Sequence, residues 1–183
     1  MKSHSNTSSP QRNHDTASSP LETLVQDLCL EEGITMRKVK NDMASFQLAL
    51  QFPNPQSTIT IYQPKNKGDM VVVGTVIEVV DEHKEKMKQL STEKRETFIW
   101  DLKLLLARGT TEFELQHPHD ILEFVRIHKF IFEDGFSKHV FMNTLFEINR
   151  VKLLVIWFIQ KNLGSSPASK QEKGPMNDTF IYR

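Results

Sequence analysis

The chain has 183 residues, of which 38% are hydrophobic and 25% charged, a balance that supports one real core and is too short for two comfortable ones. Lys plus Arg and Asp plus Glu each total 23, so the formal charge is zero, which argues against a binder of nucleic acid or anionic membrane that works through bulk charge. With one cysteine there is no disulfide framework, and the opening Met-Lys-Ser-His-Ser-Asn has no apolar run of a secretory signal, so the expected location is cytoplasmic.

Residues 1–20 contain Ser, Thr, Asn, His, Gln and two prolines but no Leu, Ile, Val, Phe, Trp or Tyr, too little apolar surface to offset the entropy of ordering, and are expected to be a disordered tail. Leu21, Leu24, Val25, Leu28 and Cys29 then recur at helical spacing, with Pro20 suited to the helix start and Gly33 to its exit. Ile34 to Lys40 reads as a short strand and Asn41-Asp42 as a turn. Phe46, Leu48, Leu50 and Phe52 alternate with Ser45, Gln47, Ala49 and Gln51, the pattern of a strand with one face on the core. Pro53-Asn54-Pro55 ends it, Ser57 to Gln63 is the next strand, and Pro64 to Asp69 makes a polar hairpin loop. Met70 to Val80 is apolar on both faces and so reads as a central strand, with Gly74 marking a bulge or a close backbone approach.

Asp81-Glu82-His83 suits a helix N-terminus, and Ser91 restarts a second helix over Thr92 to Ala107 with its stripe Phe98, Leu102, Leu105 and Leu106 and with Ile99, Trp100 and Leu104 beside it. Thr110 to Gln116 and Ile121 to Phe132 are two further strands. Phe136 to Leu163 reads as one helix of roughly 40 Å, and its run from Leu153 to Ile159 is apolar on every face. Such a run must be buried, and a helix of that length points to packing against a second chain. Strands set between helices and joined by short turns give an α+β class, an antiparallel sheet with helices on one face, as a single domain over residues 21–163. Residues 164–183 have linker composition before Phe180-Ile181-Tyr182-Arg183, read as a flexible tail with a frayed end. No run approaches the roughly 18 apolar residues of a membrane span.

Chemistry is sparse. His117-Pro118-His119-Asp120 places two imidazoles and a carboxylate in one turn, the donor types a metal needs, but His-x-His without cysteine support reads first as a solvated loop. Asp81, Glu82, His83, Glu96 and Asp101 lie on or near the central helices, but Lys94 and Arg95 interleave with Glu93 and Glu96 as on a solvated face, and there is no nucleophile elbow, Walker loop or dinucleotide fingerprint. Neither catalysis nor a cofactor is therefore expected. Arg37, Lys38 and Lys40 read as edge-strand charges rather than a nucleic-acid patch, and Cys29 as a small core residue.

A family resemblance rests on Ile59-Thr60-Ile61-Tyr62-Gln63-Pro64-Lys65, on Val71-Val72-Val73 broken by Gly74, on Asp81-Glu82-His83, Phe98-Ile99-Trp100-Asp101-Leu102 and Phe132-Glu133-Asp134-Gly135, and on Lys152 to Trp157. Over Leu21 to Leu163 the chain resembles an archaeal family of small domains of unknown function, numbered 2299. The resemblance implies a fold similar to type III secretion chaperones: a strongly bent antiparallel sheet flanked by an N-terminal helix, a middle helical segment and a long C-terminal helix, with two copies paired. The function expected from it is a non-enzymatic homodimeric module that binds a client protein. The surplus apolar surface of the last strand and last helix nominates Phe130, Phe132, Leu153, Ile156, Trp157 and Phe158 for the dimer or client interface. The competing expectation is a small metal-dependent enzyme or regulator that uses the His117–Asp120 loop.

Overall fold

A computed structural model of the chain describes residues 19–164, so nearly all of both expected tails, and the Phe180–Arg183 cluster, lies outside the described residues. Helix α1 (Pro20–Glu31) begins where Ser19 Oγ accepts the Glu22 N–H at 3.1 Å, and the chain leaves it through Gly33 in the left-handed region (φ 64°). Strands β1 (Met36–Lys38), β2 (Ala44–Gln51), β3 (Thr58–Pro64) and β4 (Met70–Glu78) pair in succession. Then come α2 (Asp81–Lys88), α3 (Thr92–Leu106), β5 (Glu112–Gln116), β6 (Phe124–Phe132) and α4 (Lys138–Leu163). The strands form one open antiparallel sheet in the order β1-β2-β3-β4-β6-β5. This is the α+β architecture expected, and β4 is central as its two-sided apolar pattern implied.

Several boundaries moved inward for local reasons. The segment from Ile34 to Lys40 contributes only three strand residues. Ahead of β6, Pro118–Asp120 forms a 3-10 turn with His119 and Asp120 in the left-handed region, so that strand starts at Phe124 rather than Ile121. The long helix starts at Lys138, not Phe136, because Glu133–Gly135 closes a 3-10 turn and Ser137 Oγ accepts the Val140 N–H at 3.2 Å.

Directly opposed residues of neighbouring strands share a face, so the register sorts the sheet into two sides. Leu48, Ile61, Val73 and Ile127 belong to the inner face, and they join one core cluster with Val25 of α1, Met87 of α2, Leu102 of α3 and Phe141 and Ile148 of α4. All four described α-helices place their buried apolar residues in this cluster, so among the described residues the outer face of the sheet carries no helix. At β6 the inner face is also tied by charge: Lys129 donates to Glu147 of α4 at 2.6 Å, and Thr110 donates to the same carboxylate. Burial by itself would raise the Glu147 carboxyl, but the hydrogen bonds from Lys129 and Thr110 outweigh it and hold the group below the usual carboxylate range. A depressed carboxyl contributes stability above the ordinary value and loses it as pH falls through the folded-state pKa. Glu147→Gln is therefore expected to be less stable than the native chain at neutral pH, and the gap should close on acidification. Denaturant midpoints followed from neutral pH downward check this, and a gap that stays constant with pH contradicts it.

Candidate functional site

The six apolar residues nominated from the sequence fall into different environments. Ile131 is in the core and Lys129 reaches α4, so Phe130 and Phe132, which alternate with them, point to the outer face, where they are 42% and 51% exposed. Ile156 is buried in the core cluster and holds α4 against the sheet, so it has no surface to offer a partner. Leu153 is half-buried. Trp157 is 60% exposed, and Phe158 is half-buried against the Phe98 ring, with centroids 5.0 Å apart. The run from Leu153 to Ile159 thus has one buried side, carried by Val155, Ile156 and Ile159, and one side that the described residues leave uncovered. Phe130 and Trp157 therefore belong to two different surfaces, on opposite sides of the sheet.

The first surface is a groove between α3 and α4, about 440 Å³ in volume, floored by Leu105, Leu154 and Phe158 and flanked by Leu104 and Trp157. Asp101, Arg108 and Lys161 give it a polar rim. Leu104 is 58% exposed, although it lies on a helix whose next residues, Leu105 and Leu106, turn inward. Sequence reasoning placed Leu104 beside the core stripe and missed it as surface; its offset from the Phe98–Leu102–Leu105–Leu106 stripe was the only signal.

The second surface is the outer face of the sheet. Met70 and Val72 of β4 are nearly buried yet stand outside the core cluster, because Val72 lies between Tyr62 of β3 and Phe130 of β6 and Met70 lies beside Phe132. Val76 is partly exposed on the same face, and His128 meets the Phe130 ring edge-on with centroids 5.2 Å apart. The His128 Nδ1 is buried and has no hydrogen-bond partner among the described residues.

The remaining candidates gather less. His117 Nδ1 lies 3.7 Å from Asp120 Oδ1 and His119 is exposed; among the described residues no group of three or more His, Cys, Asp or Glu side chains is placed to hold a metal ion. Lys152 Nζ donates to Ser57 Oγ at 3.2 Å, a pairing that can activate a serine where substrate has access, and burial lowers the Lys152 pKa. Ser57 is fully buried and Lys152 only 3% exposed, so the pair braces α4 against the start of β3 and presents nothing to a substrate. Burial also pushes the Cys29 thiol up to about 11, which makes it an inert core group. Lys38 reaches Glu22 of α1 at 2.6 Å while Arg37 points to the outer face, so the basic residues of β1 do not form one stripe. No described helix is long and apolar enough to cross a membrane.

Residues 21–159 match the model of a family described as uncharacterized conserved protein (DUF2299). The chain belongs to this family. It is also similar to the crystal structure of an uncharacterized protein from Methanothermobacter thermautotrophicus, with 33% identity and a TM-score of 0.74 over 78% of this chain and 98% of that one. None of the curated proteins compared matches it.

Proposed function

We propose that this DUF2299 chain is a non-enzymatic, homodimeric protein-binding module of the chaperone or adaptor type, acting in the cytoplasm. The observation that carries the reading is the α3–α4 groove: Leu104 and Trp157 are more than half exposed on either side of an apolar floor, with charges only at the rim. A soluble domain gains nothing from exposing a tryptophan and a leucine side by side, and such surfaces mark sites for protein partners. The groove lies between two helices and suits an amphipathic helix laid along it, with its apolar side chains spaced three and four residues apart. The likeness to type III secretion chaperones that the family resemblance implies fits the same reading, since chaperones of that fold hold unfolded client segments along apolar grooves.

The test compares the native chain with Leu104→Glu/Trp157→Glu. Both positions are exposed, so the double variant is expected to fold normally. Proteins retained by the native chain from the cells that make it, then purified and titrated against both forms, are expected to bind the variant at least about tenfold more weakly. Equal binding to both forms removes the groove as the client site, and the absence of any titratable partner overturns the reading.

A further inference from the structure

The outer face of the sheet carries a symmetry that no local segment reveals. Register places Arg37, Ala49, Thr60, Gly74, His128 and Glu112 in one row directly across all six strands. Arg37 stands at one edge and Glu112 at the other; both are exposed, and neither makes an ion pair among the described residues. Five strand spacings separate them, roughly 24 Å, so they cannot meet within one chain. Gly74 and Thr60, the small residues of the row, sit at its middle.

We propose that a second copy of this chain packs on this face, sheet to sheet, about a two-fold axis that runs parallel to the strands between β3 and β4. This deepens, and rests on, the homodimer of the proposed function. Such an axis turns the row end for end, so Arg37 of each copy meets Glu112 of the other, and one surface supplies both halves of two ion pairs. The apolar ground between these ends is Tyr62, Phe130 and Phe132, an aromatic surface that the described residues leave half-exposed or exposed around the nearly buried Val72. In plan the face is roughly 700 Å² from strand dimensions, close to the ~800 Å² per partner of a standard stable interface. The axis also carries His128 over Ala49 of the second copy, a small residue that leaves room for the ring. An axis across the strands would instead set β1 on β1 and oppose like charges.

The full chain is examined by sedimentation over a wide concentration range, native and with R37E, E112R, the two combined, and Phe130→Glu. Each single reversal opposes like charges at both ends of the interface and is expected to weaken the dimer on the order of tenfold. The combined R37E/E112R chain restores opposite charges only between copies, and its dimer is expected to return toward native affinity. Phe130→Glu is expected to give a monomer with an unchanged circular dichroism spectrum. A native dimer that is indifferent to all four variants overturns the inference and leaves the homodimer reading standing on another surface. A native chain that stays monomeric throughout overturns both. A native monomer that begins to dimerise when Phe180 and Ile181 are replaced by serine assigns the face to the chain's own Phe180–Arg183 segment, which also overturns the proposal.

Discussion

Phe141→Ala is expected to remove about 3–5 kcal/mol of folding stability, the range for deleting a large aromatic side chain from a closed core. Phe141 lies in the first turn of α4, is fully buried, and stacks on Phe136 with ring centroids 5.8 Å apart and planes 25° from parallel. It sits where the chain leaves β6 and turns back beneath the sheet, so the void would open beside the element that spans β6, β4 and β3. A domain of this size has a total stability of about 5–15 kcal/mol, so the variant should be close to unfolded at moderate temperature. Phe146, on the same helix and 55% exposed, supplies the control, and its replacement by alanine should cost less than about 1 kcal/mol beyond its edge contact with Phe52. Chemical denaturation of both variants decides the matter; equal midpoints would mean that Phe141 is not part of the cooperative core.

Gly74→Ala should cost about 3 kcal/mol, for the opposite reason. A Cβ at this position would lie 2.6 Å from the Ile127 carbonyl oxygen and 3.0 Å from His128 Cβ. The first of these atoms is backbone and cannot rotate away, so the β4–β6 pairing has to shift along the longest ladder in the sheet. Gly68→Ala and Gly135→Ala, where an added Cβ meets nothing within 4 Å, are expected to be nearly neutral. If Gly74→Ala unfolds at the same denaturant concentration as these two, the close approach of the strands is not what the glycine serves. The sequence already pointed here, because a glycine inside an otherwise unbroken valine run has few reasons to exist other than a bulge or a close approach.

Much of the fold was legible because its signals are local. Alternation in Phe46 to Phe52, the helical spacing of Leu21 to Cys29 and the capping serine Ser91 each act within one or two turns of chain, and the corresponding elements form where those signals stand. The errors are at ends where two local signals compete. The apolar pattern of Ile121 to Phe132 favoured a longer strand, but the left-handed His119 and Asp120 redirect the chain before it can start. The candidate site was only half legible. Trp157 and Phe130 are exposed as an interface requires, yet Ile156, one residue from Trp157, is core. An all-apolar helical run does not say which side rides on the sheet, because that depends on how the helix is rotated against partners distant in sequence.

By itself, then, the sequence determined which segments are helices and strands, that the sheet is antiparallel with helices against it, and that more apolar surface exists on the last strand and last helix than one short chain readily covers. These follow from periodicity, capping and turn chemistry, which are properties of neighbouring residues. Only the tertiary structure decided that β6 inserts between β4 and β5, that Ile156 rather than Trp157 faces the core, and that Arg37 and Glu112 stand at the two ends of one row. The physical reason is that strand register is fixed by side chains finding a common core across long loops, and a shift of one residue would send every outward group inward.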